Sequence, residues 1–338
     1  MKRKPAYLRP LPRESASAET SPPESDSNAV YSSAQALPNL KSEVSNTAPN
    51  RNWRTELKLC LTIIKPITWV PVVWSFWCGA VMAGGLSWTL EGLTKLLVGL
   101  ILAGPLLCGM AQAINDWFDR EVDAVNEPWR PIASGQLSVV RIYQVIGTLG
   151  FFGLMAAYYL GPVVMLLAFF GIFMAHNYSA PPLRLKRFTW IGPLSSASSY
   201  ILVPWLAAAS VFGGITWRAM AISGLYTLGG IGIMILNDFK SIRGDYQLKL
   251  PSVPVVYGTR TASRLACAIM DLSQLTVGGL LLMEGRPVAV AILALLLFPQ
   301  LLLQHRFIEK PLSRAIWYNA RGQNFLVLGM LVAAWVTF

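Results

Sequence analysis

The fold of this chain is decided by the stretch Asn115-Asp116-Trp117-Phe118-Asp119-Arg120-Glu121-Val122-Asp123, which continues to Asn126-Glu127-Pro128-Trp129-Arg130-Pro131. It directly follows an apolar run from Leu96 to Ile114 that is long enough to cross a bilayer. Carboxylates at the end of a membrane helix are costly to place, so a cluster of them indicates a functional site. The alternative interpretation is an ordinary solvated helix end that carries surface acids.

The spacing of the polar residues in this stretch favours the functional interpretation. If the helix continues, Asn115, Asp119 and Asp123 stand at i, i+4 and i+8 and share one face. Asp116 and Glu121 then point elsewhere. Three oxygen-bearing side chains with no lysine at the same spacing suit a hard cation such as Mg²⁺.

The composition indicates a protein that crosses a membrane several times. Of the 338 residues, 54% are hydrophobic and 13% are charged, and the mean hydropathy is +0.48. The net charge is +11, and the basic residues lie in short loops between the apolar segments. They form no basic stripe interleaved with aromatic residues, which argues against nucleic-acid binding. The four cysteines have no CxxC spacing, so neither a zinc site nor a disulfide framework is expected.

The chain divides into a polar tail and a membrane domain. Residues 1–55 are rich in Ser, Pro, Ala and Glu and are predicted to be a disordered N-terminal tail. Residues 56–338 are predicted to form an all-α transmembrane domain. It contains nine apolar segments of spanning length, with approximate cores at 62–84, 94–115, 142–160, 162–180, 192–212, 217–237, 262–283, 287–304 and 323–338.

The distribution of Lys and Arg predicts the orientation of these segments. The loops after segments 1, 3, 5 and 7 carry only Lys95, Arg218 and Arg286, and the other basic residues fall on the opposite side. Because cytoplasmic loops carry the excess of positive charge, the N-terminus is predicted to be cytoplasmic and the C-terminus external. Asp119 and Asp123 then lie at the cytoplasmic end of segment 2.

A second acidic cluster ends segment 6, with the sequence Asn237-Asp238-Phe239-Lys240-Ser241-Ile242-Arg243-Gly244-Asp245. Asp238 and Asp245 stand at i and i+7, which places them on one face of a continuous helix. Segments 2 and 6 run in the same direction, so both clusters are expected on the same side of the membrane. The alternative is two unrelated loop starts.

Cationic residues of that same side complete a chemical pattern. Arg130, Lys186 and Lys240 are predicted to lie near the four aspartates, although loop Lys and Arg residues are often only topology determinants. Carboxylates can hold Mg²⁺, Mg²⁺ and cations can hold a diphosphate, and the membrane interior can receive an apolar tail. This combination favours prenyl transfer, in which aromatic rings can shield an allylic cation. Candidate aromatic residues are Trp117, Tyr178 and Tyr200.

These motifs resemble those of the UbiA-type intramembrane prenyltransferases. The resemblance extends to their chlorophyll and bacteriochlorophyll synthase branch, through the first cluster with Arg130-Pro131-Ile132, through Tyr178-Ser179-Ala180-Pro181-Pro182-Leu183-Arg184-Leu185-Lys186, and through Asn237-Asp238-Phe239-Lys240. Lys65-Pro66-Ile67-Thr68-Trp69 and Trp317-Tyr318-Asn319 are similar to the bacteriochlorophyll members in particular. The likeness covers about residues 57 to 338.

The resemblance implies nine transmembrane helices around a central cavity and a Mg²⁺-dependent esterification. A (bacterio)chlorophyllide propionate would receive a geranylgeranyl or phytyl group from its diphosphate, in a bacterial inner or photosynthetic membrane, with pigment-pathway or assembly proteins as further partners. The implied metal ligands are Asn115, Asp119, Asp123, Asp238 and Asp245. The implied catalytic residues are Asp119, Asp123, Asp238, Arg130 and Lys186, and the implied substrate-binding residues are Arg130, Tyr178, Arg184, Lys186 and Lys240.

Three positions depart from the pattern of the family. Ala133 stands where the family has Pro, Arg243 stands where it has Glu, and Tyr246 stands where it has Arg. The last two concern the second metal or phosphate site. His176 and His305 are the two histidines of the chain and could ligate the magnesium of a chlorin, although a structural or interfacial role is the simpler interpretation for both.

Two alternatives remain open at the level of sequence. One is a prenyltransferase of the same kind that acts mainly on chlorophyllide a, or on a quinone or haem precursor. The other is an ion-coupled transporter whose intramembrane acids bind the coupling ion. Transporters place such sites near the bilayer midplane within internal repeats, whereas these acids lie at helix ends and no repeat is evident.

The charge distribution makes a testable prediction about topology. A reporter fused after Phe338 should be external, and one inserted near Pro311 should be cytoplasmic, because the basic residues concentrate on one set of loops. The measurement is reporter activity in intact cells. If both fusions report the same side, a helix has been missed or wrongly assigned.

Overall fold

The computed structural model describes residues 52–335, and this range is helical with no β-strand. The predicted disordered tail therefore lies almost entirely outside the described residues. The first helix begins at Trp53, inside the range predicted as tail. The helices are α1 Trp53–Ile63, α2 Trp69–Ala83, α3 Leu90–Ile101, α4 Gly109–Phe118, α5 Arg120–Asn126, α6 Val139–Leu160, α7 Pro162–Ser179, α8 Ile191–Ala197, α9 Val203–Phe212, α10 Trp217–Asp238, α11 Ile242–Gln247, α12 Val253–Tyr257, α13 Thr259–Met283, α14 Pro287–Glu309, α15 Pro311–Arg321 and α16 Gln323–Trp335.

Several of these helices join into longer stretches that are apolar enough to cross a membrane. A wide π-type turn at Leu102–Cys108 links α3 to α4, and another at Ser198–Leu202 links α8 to α9. Eight spans result within residues 52–335, at Trp53–Ala83, Leu90–Phe118, Val139–Leu160, Pro162–Ser179, Ile191–Phe212, Trp217–Asp238, Thr259–Met283 and Pro287–Glu309. The chain is thus an all-α integral membrane protein. The predicted ninth segment corresponds to α16 and runs past the last described residue, so nine spans and the orientation of the termini remain predictions.

Within residues 52–335 the buried apolar side chains form three clusters, and the two larger ones meet along α2. One consists of α2 with α9 and the turn at Leu102–Cys108, and it includes the buried side chain of Phe76. The other is built from α10, α13, α14 and α16 around Trp205 and Tyr226. Each helix buries its apolar residues against its neighbours and leaves others exposed, as expected for helices that face lipid on one side.

The first acidic cluster keeps its predicted register although the helix bends. α4 ends at Phe118 and α5 begins at Arg120. Across this junction the Asp119 N–H donates to the Asn115 carbonyl at 2.9 Å, and the Asp123 N–H donates to the Asp119 carbonyl at 2.8 Å. The i to i+4 hydrogen-bond pattern therefore continues through the motif.

The second acidic cluster does not lie on one helix, and that prediction was wrong. α10 ends at Asp238, and the chain turns before α11 begins at Ile242. The turn is closed by i to i+3 bonds, from the Lys240 N–H to the Asn237 carbonyl and from the Ser241 N–H to the Asp238 carbonyl, each at 3.1 Å. The chain must bend here because α11 packs against α5 rather than extending away from the bundle.

The close approach of α2 and α9 makes a testable prediction. An added Cβ at Gly79 would lie 2.2 Å from the backbone oxygen of Trp205, and backbone atoms cannot give way as a flexible side chain can. Gly79→Ala should therefore destabilise the bundle, by about 1–3 kcal/mol as for other overpacked sites. The measurement is the thermal unfolding midpoint of the protein in detergent.

The matched control is Gly278→Ala in α13, where an added Cβ meets nothing within 4 Å. This change should be neutral or slightly stabilising, because alanine favours a helix more than glycine does. Equal unfolding midpoints for the two variants would contradict the close approach.

Candidate active site

A cavity of about 560 Å³ lies among the helices, and its lining changes in character along its length. Its charged end is formed at the helix ends by Lys65, Asn115, Asp119, Asp123, Asn126, Glu127, Arg130, Lys186, Asn237, Asp238, Lys240 and Asp245. Its apolar end is formed by residues in the interior of the spans, namely Val72, Phe76, Leu102, Ala103, Leu107, Val164, Leu167, Ala168, Val203, Pro204 and Ala207. Such a cavity suits a ligand with an anionic head and an apolar tail.

The first acidic cluster forms one wall of the charged end. The Asn115 amide donates to an Asp119 carboxylate oxygen at 2.7 Å and to the Ser179 hydroxyl at 2.9 Å. The other Asp119 oxygen pairs with the Lys186 ammonium, which the segment after α7 brings across the cavity. The two residues were predicted from separate motifs, and the fold brings them into direct contact.

Asp116 is the most buried acid of this cluster, and the sequence interpretation placed it outside the site. Its carboxylate is 2% exposed and accepts from Lys65 at 2.5 Å and from Arg130 at 3.0 Å. Arg130 also donates to Asp123 at 2.8 Å and pairs with Glu127. Asp116 thus holds Lys65 and Arg130, two of the cavity cations, in place.

Lys65 is a site residue that sequence reasoning missed, although a signal for it was present. It interrupts the apolar stretch between Ile63 and Trp69, and a lysine at membrane depth needs an acidic partner. Its backbone has a φ of 46°, in the left-handed region that non-glycine residues seldom adopt. This conformation lies between α1 and α2, where the side chain reaches Asp116.

The second acidic cluster forms the opposite wall. Asp238 and Asp245 both line the cavity, and each lies within electrostatic range of the other. The Asp245 carboxylate accepts from the Ser241 hydroxyl at 2.9 Å, and Lys186 also acts on it electrostatically. Lys186 therefore lies between the two clusters. The two walls meet although they belong to spans more than 100 residues apart in sequence.

Two asparagines hold the second cluster in position, and neither was predicted as a site residue. Asn126 of the first motif accepts from the Gly244 N–H at 3.0 Å, and a Cβ at Gly244 would lie 2.4 Å from its amide nitrogen. Asn319 donates to Asn237 at 2.7 Å. These contacts explain why a glycine precedes Asp245, and they give the Trp317-Tyr318-Asn319 motif a structural role.

Burial changes the acidity of two of the acids. Burial raises the pKa of Asp123 to about 6, although Arg130 opposes the shift. Burial also raises the pKa of Asp245 to about 6, although hydrogen bonds from Ser252 and Ser241 oppose the shift. Desolvation disfavours the ionised form of a carboxylic acid, and a bound cation favours that form again. A divalent cation bound by these side chains would thus displace protons near neutral pH.

Several candidates of the sequence analysis lie elsewhere. Trp117, proposed as a shield for an allylic cation, packs against Tyr143 with ring centroids 5.8 Å apart, whereas Tyr178 and Tyr200 do line the cavity. Arg184, the two histidines and Arg243 are absent from the cavity lining in the described range, and His305 and Arg243 are exposed.

The acids are arranged around cations. Among residues 52–335, no three His, Cys, Asp or Glu side chains lie close enough together to form a metal centre. The carboxylates of Asp119 and Asp123 contact Lys186 and Arg130 instead. Asp238 and Asp245 face the same space from the other wall. The arrangement can hold an anionic group between opposing cations, with acidic oxygens available for a metal.

Comparison with known proteins assigns the chain to a family. The UbiA prenyltransferase family profile matches residues 70–335, more than two thirds of the chain. The chain belongs to this family. It is therefore a prenyltransferase, and ion-coupled transport, the alternative of another class, is not supported.

Similar sequences include synthases of both chlorophyll types. The chloroplast chlorophyll synthase of Arabidopsis thaliana is 40% identical, over 82% of this chain and 74% of its own length. The bacteriochlorophyll synthase 34 kDa chain of Chloroflexus aurantiacus is 42% identical, over 81% of this chain and 88% of its own length. The bacteriochlorophyll synthase 33 kDa chain of Cereibacter sphaeroides is 40% identical, over 82% of this chain and 92% of its own length. Sequence identity therefore does not show whether this chain is more similar to the chlorophyll synthases or to the bacteriochlorophyll synthases.

Solved structures share the fold at much lower identity. A UbiA homologue from Archaeoglobus fulgidus bound to GPP and Mg²⁺ superposes with a TM-score of 0.61 at 17% identity, covering 79% of this chain and 99% of that protein. A digeranylgeranylglyceryl phosphate synthase superposes with a TM-score of 0.63 at 19% identity, covering 83% of this chain and 99% of that protein. At these identities the likeness concerns the arrangement of helices.

The buried acid Asp116 makes a testable prediction. Asp116→Asn should lower the stability of the protein, because Lys65 and Arg130 would lose the charge that they share. Removing one partner of a buried ion pair, which leaves the other charge buried and unpaired, costs about 3–5 kcal/mol of stability. The measurement is again the thermal unfolding midpoint in detergent.

A matched control is Glu91→Gln, which breaks the exposed pair between Glu91 and Lys95 at 2.7 Å. That change should have little effect, since exposed pairs contribute little to stability. If Asp116→Asn is as stable as the control, Asp116 does not anchor the two cations.

Proposed function

We propose that this protein is a (bacterio)chlorophyll synthase. It esterifies the propionate of a chlorophyllide-type acceptor with a geranylgeranyl or phytyl group from the diphosphate, and diphosphate is released. The observation that carries the proposal is the cavity, whose charged end joins two acidic clusters and four cations and whose apolar end extends into the bundle. The synthases named above, about 40% identical over most of their length, support the choice of acceptor.

The residues of the charged end have the donor chemistry that a magnesium ion requires, although their acids contact cations rather than one another. Asn115, Asp119, Asp123, Asp238 and Asp245 supply oxygen atoms, which Mg²⁺ prefers, and all of them line the cavity. Asp238 and Asp245 interact electrostatically, and a cation between them would relieve the repulsion of their ionised forms. When bound, Mg²⁺ would neutralise charge on the leaving diphosphate. The Mg²⁺ named with the Archaeoglobus fulgidus homologue supports this assignment.

The cations of the cavity position the diphosphate. Arg130 and Lys186 are held at fixed places by Asp116, Asp123 and Asp119, so they need not be reorganised when the anion binds. Lys240 lines the same end on the turn after α10, and Tyr178 lines it from α7. These four side chains are the proposed diphosphate-binding residues. Arg184, which the resemblance implied as a substrate-binding residue, does not line the cavity, and no diphosphate contact is proposed for it.

The acceptor requires no general base. A propionic acid is ionised at neutral pH, so its carboxylate can attack the allylic carbon directly. The apolar end of the cavity receives the prenyl chain and keeps water away from the reacting carbon. Because the two types of synthase are equally similar, chlorophyllide and bacteriochlorophyllide are both proposed acceptors.

The proposed location is a bacterial inner or photosynthetic membrane, with the charged end toward the cytoplasm. Both acidic clusters end spans that run in the same direction, and the basic residues concentrate on that side. A cytoplasmic site agrees with the positive-inside rule. It would also give the soluble head of the donor direct access to the cations.

The metal assignment is tested by Asp119→Asn and Asp238→Asn. Each change keeps the size of the side chain and removes a charged ligand, so turnover should fall on the order of 100-fold or more, the cost of losing one electrostatic group of an active site. The measurement is ester formation from chlorophyllide or bacteriochlorophyllide with either diphosphate, as a function of Mg²⁺ concentration.

The control for these variants is Glu121→Gln, which neutralises an exposed acid of the same motif that does not line the cavity. This variant should behave as the unmodified protein does. Near-normal turnover of either aspartate variant at limiting Mg²⁺ would show that the metal is held elsewhere.

A further inference from the structure

A belt of uncharged polar side chains separates the two ends of the cavity, and the function proposed above gives it no role. Its members are Thr68, Cys108, Gln112 and Tyr200, and all four line the cavity. We call this set the neutral belt. Thr68 lies just before α2, Gln112 is in α4, and Tyr200 is in the π-type turn before α9. Three separate parts of the chain thus bring these groups to one level.

The belt is ordered by direct contacts. The Gln112 amide donates to the Tyr200 hydroxyl oxygen at 2.7 Å. The Cys108 thiol lies 3.9 Å from the same oxygen and 3.7 Å from the Thr68 hydroxyl. The Thr68 hydroxyl donates to the Lys65 carbonyl at 2.8 Å, so its proton is already engaged. The Gln112 amide and the Tyr200 hydroxyl also interact with the Cys108 thiol, which is a weak hydrogen-bond partner that a bound carboxylate can replace.

The register of α4 places the belt at a defined distance from the acids. Cys108, Gln112, Asn115 and Asp119 follow one another at i, i+4, i+7 and i+11, which is one face of the helix. Seven residues separate Gln112 from Asp119, which corresponds to roughly 10 Å along the axis. The belt therefore lies about two helical turns from Asp119, toward the apolar end of the cavity.

The position of the belt also follows from the substrate. The diphosphate binds at the charged end and the prenyl chain at the apolar end. The allylic carbon that joins them therefore lies between the two ends of the cavity, at the level of the neutral belt. The group that attacks this carbon must reach the same level. The side chains that the belt offers there are uncharged, and Lys65, the nearest cation along the chain, is paired with Asp116 at 2.5 Å.

We propose that Gln112 and Tyr200 form the subsite that holds the carboxylate of the acceptor. This inference rests on the proposed function. One carboxylate oxygen accepts hydrogen bonds from the Gln112 amide and the Tyr200 hydroxyl, and the other faces the allylic carbon. That oxygen forms a bond to the carbon while the bond from carbon to diphosphate oxygen breaks, and the electron pair leaves with the diphosphate. No proton is transferred.

Neutral donors suit this task better than a cation would. An Arg or Lys at this level would pair with the carboxylate and lower its reactivity toward the allylic carbon. An amide and a phenol orient the anion and leave it charged. A hydrogen bond from a neutral donor to a charged group typically contributes about tenfold to a hundredfold to binding.

The test uses Tyr200→Phe and Gln112→Leu in the full-length protein. Tyr200→Phe keeps the aromatic ring, so any stabilisation of an allylic cation by its π face is retained while the hydroxyl is lost. Both variants should raise the KM for chlorophyllide at least about tenfold. The KM for the prenyl diphosphate and the Mg²⁺ requirement should stay unchanged.

A second readout reports on the carboxylate itself. Chlorophyllide and its propionate methyl ester are compared as ligands, the ester as a competitive inhibitor. The unmodified protein should bind the acid more tightly than the ester, and this preference should shrink about tenfold in both variants. The matched control is Tyr226→Phe, a buried tyrosine outside the cavity, which should keep the preference.

The outcomes separate the two proposals. If the unmodified protein forms ester and both variants keep the preference for the acid, the carboxylate subsite lies elsewhere and this inference is overturned. A raised KM for the diphosphate alone would assign the two residues to the donor and would also overturn it. If the unmodified protein esterifies neither chlorophyllide, the proposed function fails, and the subsite falls with it.

Discussion

Charge held near the end of a membrane helix must be compensated, and this requirement organises the whole cavity. Asp116 is 2% exposed and is shared by Lys65 and Arg130. An unpaired ion at this depth would be very costly, so the three groups fix one another. They also join three parts of the chain: the segment before α2, the end of α4 and the turn after α5. The side chains that face the cavity are arranged around this anchored pair of cations.

The polarity of the cavity follows from where helices end. Backbone at a helix end can turn, and its polar side chains can reach one another there, as Asn126 reaches Gly244. In the interior of a span the backbone is satisfied within the helix and the side chains are apolar. A cavity that runs from helix ends into the bundle is therefore charged at one end and apolar at the other. An amphipathic prenyl donor matches this gradient, and the neutral belt lies where the gradient changes.

The errors of the sequence analysis have a common physical origin. Treating Asp238 to Asp245 as one helix assumed that local geometry continues, whereas packing of α11 against α5 bends the chain at that point. Asp116 lies on another face of α4 than Asp119, so the helical spacing predicts it outside the site, whereas the structure buries it as the partner of two cations. The position of Trp117 beside the acids in sequence predicts a place in the site, but its ring packs against Tyr143.

The sequence by itself determined the all-helical membrane class, the spacing of Asn115, Asp119 and Asp123, and the presence of two acidic clusters at the ends of spans that run in the same direction. These features depend on composition and on local periodicity, which are properties of neighbouring residues. Only the tertiary structure decided that Lys186 meets Asp119, that Lys65 meets Asp116, and that Gln112 meets Tyr200. These pairs are 51 to 88 residues apart. Local pattern carries no information about such contacts, because the packing of the helices decides which faces meet.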